Sequence, residues 1–593
     1  MSSAASRERT PVRRRVTRVA CVALFLVCGS GLAVGGWEAR QAAQARGHLL
    51  RAAALFDRLQ TQLELGEYAG SRATVQALRR ETAAAEAGTG DLAWRLGGHA
   101  PGLGDDVQAV RTVTAALDEL ATDVLPALVR VAAGIEALAP HGGAVDLTAL
   151  SAAAPELLTA DATIRRTRDR IGAIATGRLV GPLAAPIAGL RGRLDRAAAL
   201  TGSALRAVQL ILPMLGASGP RTYLALFQNP AEVRATGGMP GAYLVIEADH
   251  GAIRVVEDGT ASGGLAVSDR PVLALDPAVA ALYGTAIGRY PANINQTPDF
   301  PTVARLAREM YRRRSGRTVD GVLATDPVAL SYLLGATGPV VLPRGPALRG
   351  DNAVHLLLSD VYAGRLSRPQ QDAYFRTVAR ATFAALTRRP IAVRPMLAQL
   401  ARAAGERRIL AWSAVPAEEQ LLAGTVLEGV LPQDRPDEPT VGLFLNDGGG
   451  GKMSYYLRPA AQLGDSGCRL AGHALLTVNL TLSSVAPPSG LSPYVLNSAA
   501  ALDPYTIRTF VSVFGPTGGS VVRAALDGVP APLTAGSEGR RGVGIVMVDL
   551  APGTSRRLTV TVLADAGTVR APRLWTTPTV TPWRIVHRPA GRC

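Results

Sequence analysis

The sequence predicts a multidomain, membrane-anchored chain: an N-terminal transmembrane helix, an α-helical bundle, an α/β domain with a mixed sheet and a C-terminal antiparallel β-sandwich. Three observations predict it. Residues 19–36 form an uncharged run just long enough to cross a bilayer. Behind that run the apolar spacing changes character twice, near Arg221 and near Gly429. The length of 593 residues also exceeds what one hydrophobic core usually holds.

The apolar run, VACVALFLVCGSGLAVGG from Val19 to Gly36, ends beside Trp37, where an interfacial aromatic is expected. Arg7, Arg9, Arg13, Arg14, Arg15 and Arg18 precede it. By the positive-inside rule, residues 1–18 are a cytoplasmic basic tail and the chain from about Glu38 onward is exported. A cleaved signal peptide is the rival reading. Against it, the small-x-small triplet Gly31-Leu32-Ala33 lies inside the apolar run, and Cys28 sits in FLVC, a poor lipoprotein box. An uncleaved single-pass anchor is the expectation.

Cys21 and Cys28 lie within the membrane run, which leaves Cys468 and Cys593 as the candidate disulfide pair in an oxidising compartment. There is no Cys-x-x-Cys and no clustering of the seven histidines, so a structural zinc site has no support. The formal charge is +16, and Lys452 is the only lysine, so the positive charge is almost wholly arginine. Planar, permanently charged guanidinium groups suit anionic lipid, glycopolymer or pyrophosphate. Nucleic acid is not an expected partner.

Residues 38–215 read as a helical bundle or stalk. Leu49, Ala52, Phe56, Leu59 and Leu63 recur at three- and four-residue intervals, as do Val107, Val110, Val113, Leu117, Leu120, Val124 and Leu128. Breaks at Gly88 to Gly90, His99 to Gly104, Pro140 to Gly143 and Gly177 to Pro186 divide the region into four or five helices.

Residues 220–430 read as the α/β domain. Short β-branched runs, TYLALF and AYLVIEADHGAIRVVEDG, give way to helical patterns at Thr302 to Arg313, Pro327 to Leu334 and Asp351 to Leu386. Residues 431–593 are β-rich. Leu476, Val478, Leu480 and Leu482 alternate with polar neighbours, and Leu558, Val560 and Val562 repeat the pattern, as one-sided antiparallel strands do.

The densest functional-looking segment is FQNPAEVRATGG, Phe227 to Gly238. Asn229, Glu232, Arg234, Gly237 and Gly238 there can form the rim of an anion pocket, with glycine N–H groups and a bidentate guanidinium. The alternative is a tight turn that needs positive φ at glycine, with Glu232 and Arg234 pairing locally. Asp299, in INQTPDFP, can hold a metal or orient a ligand, or it can simply cap the helix that follows. Asp326 reads as a cap. The run Gly448 to Gly451 before Lys452 is not a phosphate loop, because Met453 stands where the Ser or Thr is needed. In Gly464-Asp465-Ser466-Gly467 the next residue is Cys468, not the glycine of a serine-protease loop.

The boxes LFQNPAEVRATGGMPGAY, INQTPDFPTVAR, VDGVLATDPVALSYLLGATGPVVL and GGGGKMSYYL together resemble the actinobacterial envelope family known as domain of unknown function 4012. The resemblance runs from about Arg221 to the C-terminus and implies the layout above, with no established activity. A more distant resemblance is to the LytR-CpsA-Psr phosphotransferases, which move glycopolymers from polyprenyl pyrophosphate to the cell wall. Arg234-Ala235-Thr236 is similar to that family's Arg-Ser-Asp box but lacks the aspartate. The segment with Arg365, Arg368 and Arg376 is similar to its arginine helix, and Glu257-Asp258-Gly259 stands where Pro-Arg-Asp is expected.

Three readings follow. The first is an envelope protein, not demonstrably enzymatic, that assembles or binds wall glycopolymer or peptidoglycan. In the second, a phosphotransferase, Arg234, Arg365 and Arg376 hold the pyrophosphate while Asp299 or Glu232 carries Mg²⁺. The third is an interaction scaffold. Convergence of these groups on one deep cleft favours the ligand readings; a local Glu232–Arg234 pair with solvent-facing helix arginines favours the scaffold.

Overall fold

The structure, a computed structural model, describes residues 36–593 apart from positions 100, 101, 103, 180, 344, 365, 390, 436, 500, 501, 566–568, 589, 590 and 592. The predicted anchor up to residue 35, with Cys21 and Cys28, and the candidate Arg365 therefore lie outside the described residues. Two compact units make up the rest: a helical one, up to Leu138 and again over Asp146–Leu212, and a mixed one, Ala139–Val145 with Pro213–Cys593.

In the helical unit the α-helices are Gly36–Leu65, Tyr68–Thr89, Leu92–Gly97, Gly104–Glu119, Leu125–Ala137, Thr148–Gly172 and Gly181–Met214, the last ending just beyond the unit. A π turn, Leu120–Val124, joins the fourth and fifth. The predicted breaks fall between helices or in a helix's terminal turns. One break was not anticipated: Gly66, at φ 76°, turns the chain so that the first two helices form a hairpin. His48 meets Glu81 at 2.8 Å, and Thr74 donates to Gln62 at 2.8 Å across it. Leu49, Ala52 and Leu59 are buried as expected, whereas Phe56 is 45% exposed. Among the described residues one helix, Leu183–Met214, is long and apolar enough to cross a membrane by length and composition. Its Leu183, Ile187, Leu194, Leu205 and Val208 are buried against other helices of the unit.

The mixed unit begins with a five-stranded sheet in the order β3-β2-β1-β4-β5, where β1 is Arg221–Arg234, β2 Gly237–Asp249, β3 Ala252–Thr260, β4 Gly321–Thr325 and β5 Leu410–Ser413. β1 and β4 pair parallel and the other neighbours antiparallel, which is the mixed sheet expected. His250 and Gly251 both take positive φ at the β2–β3 turn, the geometry of a tight hairpin. The helix Phe300–Ser315 packs Phe300, Met310 and Tyr311 against Leu224 and Val245 of the sheet. The predicted helical stretch at Asp351 to Leu386 is interrupted; its described helices are Ala353–Leu358 and Arg368–Arg388 with a 3₁₀ turn, Asp360–Tyr362, between them.

Two further sheets follow. One has the order β11-β10-β14-β8-β7-β16 and the other β12-β13-β9-β6-β15. Their strands are β6 Thr440–Asp447, β7 Leu457–Leu470, β8 His473–Ser484, β9 Ile507–Thr517, β10 Ser520–Leu526, β11 Val529–Pro530, β12 Thr534–Glu538, β13 Arg541–Leu550, β14 Ser555–Ala564, β15 Arg573–Thr576 and β16 Arg584–His587. Burial along β8 alternates strictly, as its period-two sequence requires. Val441, Leu443, Val511 and Val548 of one sheet share a hydrophobic cluster with Leu463, Leu476, Leu480 and Val560 of the other. Not every pairing in these sheets is antiparallel, as the sequence led one to expect: β15 pairs parallel with β6, and β16 parallel with β7. These short strands close the chain as edge additions outside the antiparallel hairpins.

Val233, Val361 and Tyr362, from the first part of the unit, sit in the same cluster as the two later sheets, so the α/β and β-rich parts share apolar packing. Residues Ala139–Val145, predicted as part of the helical region, belong to the mixed unit instead. Ala144 bridges to Ala252, and Gly143 donates to Thr387. Cys468 and Cys593 form a disulfide with Cα atoms 4.7 Å apart.

Candidate functional site

The site grows out of an irregularity in β1. Pairing with β2 jumps from Asn229 to Val233, so Pro230 to Glu232 leaves the ladder. Proline has no N–H to give a ladder, and the excursion carries Glu232 out of the sheet. There Glu232 accepts from Arg234 Nη2 at 3.0 Å on one oxygen and from Lys452 Nζ on the other. Lys452 follows the glycine run after β6, 220 positions away. All three residues are at most 6% exposed.

Arg234 is fully engaged. Its guanidinium also donates to the carbonyls of Ala292 at 3.2 Å, Val233 at 3.0 Å and Asp447 at 3.4 Å. Lys452 Nζ lies 5.8 Å from the ring centre of Tyr362 and 5.6 Å from that of Tyr494, cation–π positions. The Tyr362 hydroxyl accepts from Asn229 Nδ2, and burial pushes its pKa up. Asp447 completes the group: burial pushes its carboxyl up to about 6, helped by Glu232 and opposed by Arg234, the Gly450 N–H and Lys452.

Neutral hydrogen bonds extend this lock. Gln228 Oε1 accepts from Thr236 Oγ1 at 2.7 Å and Asn295 Nδ2 at 3.0 Å, and Asn295 Nδ2 also lies 2.7 Å from the Gly238 carbonyl. Asn446 accepts from the Ala235 N–H at 3.1 Å and donates to the Gln296 carbonyl at 2.9 Å. Thr577 Oγ1 donates to the Ala235 carbonyl at 3.0 Å.

The residues read as an anion rim are held by contacts within the chain. Gly237 has φ 140°, and a Cβ on Gly238 would lie 2.1 Å from the Asn229 carbonyl carbon. The two glycines permit a tight backbone crossing, and the Gly238 N–H already faces Gln228 Oε1 at 3.4 Å. Asn229 serves Tyr362 and its own turn through the Ala231 N–H. The glycines before Lys452 have a parallel explanation: a Cβ on Gly451 would lie 2.5 Å from the Leu496 carbonyl, and Asp447 ties down the Gly450 N–H at 2.7 Å.

Asp299 caps the helix Phe300–Ser315 by accepting from the Thr302 N–H at 2.8 Å. Glu232 has both oxygens on cations. Among the described residues no group of three or more His, Cys, Asp or Glu could hold a metal. Arg376 lies 3.9 Å from Asp258, which also pairs with Arg380, and its side chain is 44% exposed. Asp326 caps Pro327–Thr337 and, in addition, pairs with Arg408 at 2.7 Å, both side chains 2% exposed. Arg408 Nη2 reaches the Thr579 carbonyl at 2.7 Å, which ties β5's approach to the C-terminal segment.

The residues that sequence reasoning missed are Lys452, Asp447, Asn446 and Tyr362. One signal was available, since the chain's only lysine sits in the box GGGGKMSYYL. Beside the lock lies a cavity of about 110 Å³ lined by Lys452, Ser359, Tyr455, Tyr456, Leu491 and Ser492, among others. It has room for one phosphate- or carboxylate-sized group.

No curated protein matches the chain. Two solved structures of an M1 zinc metallopeptidase from Deinococcus radiodurans align with a small part of it. One is a mutant bound to a Tyr-Ser-Ala substrate, at 16% identity over 22% of this chain and 20% of that one, with a TM-score of 0.10. The other aligns at 15% identity over 22% of each, again with a TM-score of 0.10. The chain thus spans about a fifth of the length of these structures, and so low a score carries no argument about fold or activity. Residues 218–362, which hold β1, β2, β3, β4 and Tyr362, match the family model described as Protein of unknown function (DUF4012). This segment is what the chain shares with the DUF4012 family.

Proposed function

We propose that this is a single-pass, membrane-anchored cell-envelope protein, N-terminus in the cytoplasm and bulk outside, whose exported part acts as a non-catalytic scaffold in wall glycopolymer assembly. The orientation rests on the arginines before residues 19–36. In this reading the two C-terminal sheets are the layers of a sandwich that presents the partner-binding surface.

One observation carries the scaffold reading. The polar residues of the most distinctive sequence boxes are consumed in a buried lock, Arg234–Glu232–Lys452, that joins the α/β part to the β-rich part. A phosphoryl-transfer site needs its cations and metal ligands free to meet developing charge, and here Arg234, Glu232 and Lys452 are spent on one another. The test is calorimetric titration of the full chain with a polyprenyl pyrophosphate and Mg²⁺. The scaffold reading expects no saturable heat and no thermal stabilisation; a saturable response abolished by R234A would replace it with the phosphotransferase reading.

The Lys452 cavity favours a second reading, in which the scaffold holds a single anionic group of the glycopolymer without reacting with it. Titration with inorganic phosphate and with acetate tests this. Stabilisation that K452M loses supports it, and an unchanged melting curve with both anions removes it.

A further inference from the structure

The geometry points to a lipid-contacting foot on the helical unit: the short helix Leu92–Gly97, which we propose rests its leucines in the headgroup region of the bilayer that the anchor crosses. This inference depends on the anchored reading above. It concerns a different surface from the lock.

Three features of the helical unit carry it. The helices Gly36–Leu65 and Tyr68–Thr89 run antiparallel, with His48 against Glu81 and Gly88 beside Ala45. The C-terminal end of the second helix therefore returns to the level of Ala45, nine residues from Gly36. At 1.5 Å per residue that is roughly 14 Å along the axis. Gly36 is also the last residue of the apolar run, so this end of the hairpin is the end next to the proposed membrane span.

The helix Leu92–Gly97 follows directly at that end. Asp91 caps it, accepting from the Trp94 N–H at 2.9 Å. Trp94 turns inward, 6% exposed, and packs in the cluster with Leu49, Ala85, Val110 and Ile171. Leu92 and Leu96, one turn apart on the other face, are 71% and 65% exposed. Two leucines so exposed on a helix pinned by a buried tryptophan are an unsatisfied apolar surface held in a fixed orientation. Interfacial helices bury such a face by about 5–10 Å into the headgroup and acyl boundary.

A matched control exists in the same unit. Leu65 is 68% exposed but ends the first helix at the opposite, turn end of the hairpin. Its exposure lies between those of Leu92 and Leu96, and it sits far from the anchor.

The experiment is photo-crosslinking of the full chain in phosphatidylcholine–phosphatidylglycerol nanodiscs, with Leu92→p-benzoylphenylalanine, Leu96→p-benzoylphenylalanine, Leu65→p-benzoylphenylalanine and Cys28→p-benzoylphenylalanine made singly. The foot predicts lipid adducts at 28, 92 and 96, with yields at 92 and 96 several-fold above that at 65. Adducts at 28 with none at 92 or 96 overturn the foot while leaving the anchor standing. Absence of lipid adducts at all four positions overturns both. Crosslinks from 92 or 96 to a second copy of the chain, without lipid adducts, overturn the foot in favour of self-association.

Discussion

Glu232 and Lys452 form an ion pair across 220 residues of sequence, each side chain less than a tenth exposed. Lys452 is the chain's only lysine, so this partner is an amine among 62 arginines. Arginine's planar fork suits bidentate or exposed pairing, whereas lysine's compact ammonium ends a slender stem and here fits between Glu232 and the Tyr362 and Tyr494 rings. Removing one partner of a buried pair strands the other as an uncompensated charge, at a cost of about 3–5 kcal/mol. K452A is therefore expected to lower the urea unfolding free energy by about that much, and the double variant E232Q/K452M by distinctly less. An equal loss in both would mean that the pair is not the source of the effect.

Gly238 is the second fragile point of the lock. A Cβ there would meet backbone atoms, the Asn229 carbonyl carbon at 2.1 Å and Pro230 N at 2.3 Å, so no side chain can swing aside to relieve it. G238A is expected to destabilise by about 3 kcal/mol or more, at the upper end of overpacking costs. G237A meets only the Gln228 side chain, at an ordinary contact distance of 3.6 Å, but stands at φ 140°, so it too is strained, by the backbone instead of by contact. Thermal melts of both variants separate the two effects, with the larger drop expected for G238A.

The elements legible in the sequence were those with a strong local signal. The strict alternation at Leu476 to Leu482, the His250-Gly251 turn and the caps Asp299 and Asp326 depend on neighbours in the chain, and each has the local form expected. The fate of Arg234 depends on Asp447 and Ala292, and that of Glu232 on Lys452. Such contacts are fixed by tertiary packing, which leaves no periodic trace. A polar box with two glycines reads the same whether it faces a ligand or a second part of the fold. The turn-and-pair alternative weighed for that box was the local half of the answer, and the long-range half needed the structure.

Two buried carboxyls make stability depend on pH near neutrality. Glu538 accepts from the Tyr283 hydroxyl at 2.9 Å and from Thr297 Oγ1, and burial pushes it from 4.5 up to about 7. Asp447 moves from 3.8 up to about 6 for the same reason. A carboxyl with a raised folded pKa holds its proton more tightly when folded. Its contribution is complete below the unfolded pKa and is lost as pH rises through the folded one. Unfolding free energy is thus expected to fall between about pH 4.5 and 7 on account of Glu538, and between about pH 4 and 6 on account of Asp447. Denaturation at closely spaced pH values should show E538Q flattening the upper part of that decline; an unchanged slope in the variant would rule out Glu538 as its cause.

The disulfide Cys468–Cys593 spans 125 residues, a long loop for one cross-link. In the chain-entropy account such a loop contributes up to about 4–5 kcal/mol, and measured values are commonly about 2–4. Guanidinium midpoints of the intact chain and of C468S/C593S should differ accordingly, and a reductant should lower the first without moving the second. Equal midpoints would show that the bridge constrains nothing that the sheets do not already hold.

Lys452 also supplies a direct readout of the lock. Acylation by an amine-reactive ester needs a free, deprotonated amine, and Lys452 Nζ is ion-paired, flanked by two tyrosine rings and 7% exposed. Because the chain has one lysine, intact mass resolves its state without mapping. In native buffer only the α-amino group is expected to react, and in denaturing urea a second label should add. In E232Q the ammonium loses its carboxylate and the lock loosens, so native labelling of Lys452 should rise toward the denatured extent. Stoichiometric labelling of Lys452 in the native wild-type chain would mean that the ion pair opens faster than the ester reacts, and that the α/β and β-rich parts are joined by something other than this contact.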